Sequence, residues 1–179
     1  YNGTGATVYG PSPIAPVDVG TYDATATFFG NTNYAPASNT AAITITQAAA
    51  TVSATGGTFV YDGNPHAATG FAYGINGVGD VLTPAVTFSY TGTGGTVYGP
   101  SALAPTDVGT YDVLVSFAGN LNYSPASGTT TITITSATAT VSVTGGTFVY
   151  DGTPHAATGF AYGVGGIGDV LAPAVTFSY

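Results

Sequence analysis

Two nine-residue stretches of this chain are identical and lie 89 positions apart: Thr-Gly-Gly-Thr-Phe-Val-Tyr-Asp-Gly at 55–63 and again at 144–152. A second pair, Thr-Val-Tyr-Gly-Pro at 7–11 and at 96–100, keeps the same offset. Such a period is too long for a solenoid coil or a propeller blade, whose units run to about 20–50 residues. It has the length of a whole small domain. Tyr1, Tyr90 and Tyr179 occupy one position of the period, so the 179 residues cover two periods and one residue more. The phase predicts one uninterrupted domain over 49–137, the C-terminal half of a preceding one over 1–48, and the N-terminal half of a following one over 138–179. Segments of about 40 residues rarely bury enough surface to fold alone. The expectation is a window on a longer run of copies, or on a polymer, in which halves from neighbouring copies add up to one more domain.

Inside the period the pattern is that of strands. Tyr111, Val113, Val115 and Phe117 fall on one side of an extended segment, and Asp112, Leu114 and Ser116 on the other, the alternation of a half-buried strand. Thr, Val, Ile and Tyr, the residues that suit a pleated surface, dominate. Turn chemistry separates the runs: Gly30–Pro36, Asp62-Gly-Asn-Pro65, the glycine-punctuated loop Gly74–Asp80, and Gly119–Pro125. Strands are predicted at Thr51–Thr55, Thr58–Tyr61, His66–Tyr73 and Ala85–Tyr90, with Gly92–Tyr98 as hairpin partner of the last. Pro11, Pro13 and Pro16 mark a crossing loop or edge, because proline gives no ladder donor. No window has a helical period. The fold class read from this spacing is all-β, with about seven short strands per period and an antiparallel sandwich arrangement.

Asp107-Val-Gly-Thr-Tyr111, and its twin Asp18-Val-Gly-Thr-Tyr22, each sit just before an alternating strand. The motif resembles the tyrosine corner of immunoglobulin-like sandwiches. That resemblance implies that the Tyr22 and Tyr111 hydroxyls tie back to upstream backbone, with Asp18, Gly20, Asp107 and Gly109 shaping the corner. With Tyr61-Asp-Gly-Asn-Pro-His66 and Gly119-Asn-Leu-Asn-Tyr-Ser-Pro125, the whole layout resembles bacterial Ig-like tandem repeats of the glycine-rich, mostly-β (MBG) type, found in large surface adhesins and extracellular fibres. The resemblance implies tandem Ig-like sandwiches, an extracellular or bacterial cell-surface location, and a structural role in a filament or stalk. Its partners would be neighbouring repeats or other copies. An adhesin module gripping a glycan or a host surface protein through loops 74–80 and 119–125 is the alternative.

Charge narrows the partners. The chain has no Lys, Arg or Glu; eight Asp give it a formal charge of −8. Without cations it cannot neutralise phosphates, which excludes nucleic acid, and nothing draws it to anionic membranes. No apolar run is long enough for a membrane-spanning helix. Cysteine is absent, so no disulfide braces the fold. Sheet edges are normally blunted by lysine and other charges; the Thr-rich edges here lack them, which favours pairing between copies. The stretches Ile43–Ser53 and Ile132–Ser142, which lead from one predicted domain to the next, contain neither Gly nor Pro. Flexible linkers are rich in Gly and Ser, so these joins are expected to be short and stiff.

Few constellations carry chemistry. Gly163-Val-Gly-Gly-Ile-Gly168 matches the dinucleotide pattern, which has meaning only where a strand leads into a helix; no helix is predicted. Gly165-Gly-Ile-Gly-Asp169 falls one residue short of the calcium nonapeptide and is not in tandem. Calcium would need several oxygens together, for which Asp62, Asp80, Asp151 and Asp169 are the candidates; turn roles explain them as well, and no cofactor is expected. His66 and His155 follow a turn four residues after Asp62 and Asp151, which reads as a turn contact. Tyr34 and Tyr123 stand in polar turns, where an aromatic ring either covers the end of the sandwich or stacks on a sugar or a neighbouring domain. Asn2-Gly-Thr4 and Asn122-Tyr-Ser124 fit the N-glycosylation pattern. No arrangement of nucleophile, base and oxyanion donors is present, and no enzymatic activity is expected.

Overall fold

The structure, a computed structural model, describes residues 1–178; Tyr179, the third tyrosine of the period, lies outside them. The described residues are all-β. In chain order the strands are β1 (Asn2–Gly3), β2 (Gly20–Phe28), β3 (Ala37–Ile45), β4 (Ala48–Ala49), β5 (Thr51–Thr55), β6 (Gly57–Val60) and β7 (Thr69–Tyr73). They continue as β8 (Thr87–Thr93), β9 (Gly109–Phe117), β10 (Tyr123–Ser124), β11 (Ala126–Thr135), β12 (Thr140–Thr144) and β13 (Thr158–Tyr162). Two single 3-10 turns, Gly77–Gly79 and Gly166–Gly168, stand one period apart.

The chain divides into two compact units that interleave in sequence. One holds residues 1–54, 70–87 and 115–128, the other residues 55–69, 88–114 and 129–179. In the first unit β1, β2 and β3 form an antiparallel sheet, with Gly20 opposite Ile45 and Phe28 opposite Ala37. β5 pairs with β7, and β4 runs parallel to β10. The apolar centre of this unit is Ala72, Leu82 and Phe117, with Ala50, Val52, Val86 and Tyr123 packed against it. Tyr22 is buried, with the Tyr9 ring edge-on at 5.6 Å.

Most of the four-stranded sheet β6-β11-β9-β8 belongs to the second unit; Thr87 of β8, Val115–Phe117 of β9 and Ala126–Gly128 of β11 are counted in the first. β6 and β11 are parallel, with Ile132 opposite Gly57 and Thr135 opposite Val60. β9 alternates as a strand with one covered face must: Tyr111, Val113, Val115 and Phe117 are buried, and Asp112 and Leu114 are exposed. Ile132 and Ile134 of β11 are buried as well, while Thr131 and Thr135 face outward, so Ile-Thr alternation along β11 sorts apolar from polar in the same way. β12 and β13 form an antiparallel pair, from Thr140 opposite Tyr162 to Thr144 opposite Thr158.

Element limits differ from the sequence reading in three places, the smallest a one-residue shift of β6 to Gly57–Val60 from the predicted Thr58–Tyr61. β8 covers Thr87–Thr93 rather than 85–90 and pairs with β9. Gly92–Tyr98 is not its hairpin partner strand: Gly94 and Gly95, both at positive φ, turn the chain, and beyond them the contacts with β8 are a Gly92 N–H to Tyr98 carbonyl bond at 2.9 Å and an isolated antiparallel bridge between Tyr90 and Ser101. β7 begins at Thr69 rather than His66: the His66 N–H goes to the Pro105 carbonyl at 2.9 Å, and its ring stacks on Phe59.

Candidate functional site

The two Asp-Val-Gly-Thr-Tyr segments have one geometry. The Tyr22 hydroxyl donates to the Asp18 carbonyl at 2.7 Å, and the Tyr111 hydroxyl to the Asp107 carbonyl at 2.6 Å. Glycine is required between them: a Cβ on Gly20 would lie 2.7 Å from Thr7 Cγ2 and 2.9 Å from the Tyr22 hydroxyl, and one on Gly109 would meet Thr96 and Tyr111 in the same way. Thr7 and Thr96 complete the corner, each accepting through its hydroxyl from the amide of Thr21 or Thr110 at 3.1 and 3.2 Å. Burial pushes both phenols above the ordinary tyrosine range, and the Asp18 and Asp107 carboxylates add to the shift.

Around the first corner the unit gathers a set of polar contacts, where the stretch after β3 meets the turn before β10. β4 lies parallel to β10, with Ala48 opposite Tyr123 and Ala49 opposite Ser124. The Ala48 amide donates to the Asn122 carbonyl at 2.9 Å, and Ser124 Oγ donates to the Ala48 carbonyl at 3.3 Å. Gln47, the one glutamine of the chain, donates through Nε2 to the Asn120 carbonyl at 2.8 Å. Asn122 works in both directions. Its Oδ1 accepts from the Val19 amide at 2.9 Å, and its Nδ2 donates to the Asp18 carboxylate at 2.8 Å. Asp18 therefore holds its own corner through its carbonyl and the Asn122 turn through its side chain.

The turn is also closed by its own hydrogen bonds. Asn120 Oδ1 accepts from the amides of Asn122 and Tyr123 at 3.1 and 2.9 Å, and Asn120 Nδ2 donates to the Thr83 carbonyl at 2.8 Å. The Tyr123 hydroxyl donates to Asp80 Oδ2 at 3.1 Å and accepts from the Ile75 amide at 3.3 Å. Gly74 leaves room for that contact; a Cβ there would collide with both the phenol and the Asp80 carboxylate. In the second unit, Ser136–Ala139, which follows β11 as Gln47–Ala50 follows β3, is bordered by Tyr61, Val108, Val164 and Leu171. Asp169 apart, that second border is mostly apolar, where the first is polar.

The remaining sequence candidates stand apart. Tyr34 is 69% exposed. Asp62 Oδ1 accepts from the Asn64 amide at 2.8 Å, and Asp151 Oδ1 from the Thr153 amide and hydroxyl at 2.9 and 2.7 Å. These bonds hold both carboxyls below the ordinary range: the Asn64 amide is the largest cause for Asp62, the Thr153 hydroxyl for Asp151. His66 and His155 reach back to the same carboxylates at 3.2 and 3.1 Å, and each stacks on a phenylalanine, Phe59 or Phe148. The His66 approach is out of line for a hydrogen bond. Asp169 Oδ2 accepts from the Gly165 amide at 3.2 Å, closing the loop that carries the G-x-G-x-x-G pattern; a 3-10 turn and not a helix follows. Among the described residues no three His or Asp side chains gather as a metal site. No helix among them is long and apolar enough to cross a membrane.

Sequence reasoning passed over Gln47 and the two-way use of Asn122, which it placed in the 119–125 turn and in a glycosylation pattern without a partner in the chain. The available signal was a lone Gln in a linker free of Gly and Pro. Comparison with family models, curated proteins and solved structures found no match, so the meaning of this join rests on the chain's own residues.

Proposed function

We propose that this chain is a structural module of a long extracellular bacterial filament or adhesin stalk, repeating every 89 residues and giving reach and stiffness. The finer fold reading is an Ig-like sandwich in each period. The alternation of β9 and the Tyr111–Asp107 corner support it. The observation that carries the functional reading is the join itself. A linker whose purpose is freedom leaves its backbone to water; here Gln47 and Ala48 are hydrogen-bonded, β4 adds to β10, and Asn122 ties Val19 and Asp18 to the next period. Such a join resists bending because several bonds must break together.

The join also bears on the alternative. The turn 119–125 is, with loop 74–80, one of the two loops offered for gripping a glycan or a host surface protein, and several of its amide, carbonyl and phenol groups are engaged within the chain. A ligand would have to displace them. The partners of this reading are neighbouring copies, with neither cofactor nor catalysis. Electron microscopy of the native material tests it. The expected image is a fibre with an axial repeat of about 30–40 Å per period, the span of strands of this length with their turns. Separate particles without axial periodicity would refute it.

A further inference from the structure

We propose that Asn76-Gly77 is a self-modification site, where the chain turns an uncharged amide into a carboxylate and thereby loosens the join that the loop 74–80 braces. The step is intramolecular. The Gly77 amide nitrogen gives up its proton and attacks Asn76 Cγ. The new N–Cγ bond closes a cyclic imide, and the Cγ–Nδ2 bond breaks with Nδ2 leaving as ammonia. Water then opens the imide at either carbonyl. Opening at the backbone carbonyl leaves isoaspartate, in which the main chain runs through Cβ and Cγ; opening at Cγ leaves ordinary aspartate. Each conversion consumes one water and releases one ammonia, with no oxidant, metal or second enzyme. The functional part of the proposal rests on the reading of the join as a structural element, and it names a regulation of that join.

Asn-Gly pairs occur at Asn2-Gly3 and at Asn76-Gly77, and only in such a pair does no side chain shield the attacking nitrogen. Their surroundings differ. Gly3 lies in β1 opposite Tyr22, and its amide donates to the Tyr9 carbonyl at 2.8 Å. Asn76 is exposed in the loop between β7 and β8, at φ −90° and ψ 11°, and its side chain makes no cap bond to the 3-10 turn that follows. Gly77 is at φ +76°, and a Cβ built on it would meet nothing within 4 Å. Its amide donates to the Gly74 carbonyl at 3.1 Å. That bond must open for the nitrogen to swing toward Cγ, and a single bond in an exposed loop opens more readily than a strand pairing. The same loop is open one period on: Gly165, in the place of Asn76, is exposed with all of 49–137 ahead of it, and a Cβ on Gly166 again meets nothing within 4 Å. That copy carries Gly165-Gly166 and has no amide to lose.

The position gives the conversion its consequence. Asn76 lies between the two points at which the loop holds Tyr123: the Ile75 amide donates to the Tyr123 hydroxyl at 3.3 Å, and that hydroxyl donates to Asp80 Oδ2 at 3.1 Å. The Asp80 amide is fixed in turn by the Gly77 carbonyl at 2.9 Å. An isoaspartyl linkage lengthens the backbone between Ile75 and Gly77 by one methylene, so the Gly77–Gly74 and Asp80–Gly77 bonds no longer close together. Either product also sets a second carboxylate in the loop of Asp80, in a chain without Lys or Arg to offset it. Tyr123 belongs to β10, the strand that β4 joins. Loss of its brace is therefore passed to the contacts that Asn122 makes with Val19 and Asp18.

The test ages the 179-residue chain in warm, mildly alkaline buffer. Trypsin has no site in it, so chymotrypsin, cutting after Tyr73, releases the peptide that carries Asn76 for mass spectrometry, and isoaspartyl methyltransferase labels the lengthened product. The expected result is conversion at Asn76 about tenfold or more faster than at Asn2 in the folded chain, because the loop opens at lower cost than the strand pairing. In concentrated urea the two pairs convert alike. The aged chain then exchanges the Ile75, Asp80 and Val19 amides faster than the fresh chain. Asn76→Gln, aged in the same way, keeps the fresh pattern. Asn76→Asp, which carries the charge without the longer backbone, speeds exchange less than ageing does. An intact amide at Asn76 after ageing, conversion at Asn2 as fast as at Asn76 in the folded chain, or a converted chain with unchanged exchange at Val19 overturns the proposal. Native fibres alongside an unreactive Asn76 leave the structural module standing and remove this inference alone. Absence of fibres removes the module, while the covalent step is still decided by the mass of the Asn76 peptide.

Discussion

Residues 30–36 and residues 119–125 close on themselves in the same way. Asn31 accepts from the amides of Asn33 and Tyr34, as Asn120 accepts from those of Asn122 and Tyr123. Beyond the turn the two copies part. Asn33 is exposed and Tyr34 points into solvent, whereas Asn122 grips Asp18 and Val19 and Tyr123 bonds to Asp80. The strands before the turns differ in the same sense. Phe117 at the end of β9 is 2% exposed, and Phe28 at the end of β2 is 47% exposed. Local sequence makes the turn and the strand; what lies alongside decides whether they bear any contact.

The strongest way to break this comparison is to truncate the two phenylalanines. Phe117→Ala empties space against Ala72 and Leu82 and costs about 3–5 kcal/mol in denaturant unfolding. Phe28→Ala gives up area that is already half wet and costs about 1–2 kcal/mol. Equal losses would mean that the two strands are covered alike. Next in size is the join. Asn122→Ala removes the bonds to Val19 and Asp18 and costs about 1–2 kcal/mol, with faster hydrogen exchange at the Val19 amide. Asn33→Ala stays within about 0.5 kcal/mol. Asn122→Asp is worse than alanine, because it sets a second carboxylate against Asp18, and added salt relieves part of the loss.

Much of the fold was legible because its cause is local. The alternation of Tyr111, Val113, Val115 and Phe117 needs only the two-residue period of a strand, and the Gly-Asn turn needs only its own amides. The start of β7 was not legible, since the partner that takes the His66 amide is Pro105, far along the chain. The join was hidden for the same reason. Gln47 meets Asn120 across 73 residues and Asn122 meets Val19 across 103, and no short window places those side chains together. The repeat offered the remaining route: identical stretches can be compared, and the difference between them shows where a partner is present.

The corners respond less and with opposite pH dependence from the turns. Tyr111→Phe costs about 1 kcal/mol through the lost bond to Asp107, and Tyr22→Phe loses the matching bond to Asp18. Both phenols are raised in the folded chain. Their contribution is therefore complete below the ordinary tyrosine range near about pH 10 and is lost as pH rises through the folded values, when the unfolded chain releases protons that the folded chain keeps. Denaturant melts across the alkaline range should show that decline, and Tyr111→Phe should flatten part of it. A melt series with no alkaline decline would contradict the burial of these hydroxyls.

The smallest effect separates Asp62 from Asp151. Both carboxyls are lowered, so their contribution is present above the ordinary aspartate value of about 3.9 and disappears as pH falls through the folded values. The leading donor is a backbone amide for Asp62 and a side-chain hydroxyl for Asp151. Thr153→Ala should therefore move the Asp151 midpoint up toward the ordinary value and leave Asp62 where it is, read by carbon-13 titration of the carboxyls. Asn64→Ala should move Asp62 less, because the backbone amide at 64 survives the substitution. If both midpoints shift together, or neither does, the two turns are held by something other than the bonds to Asn64 and Thr153.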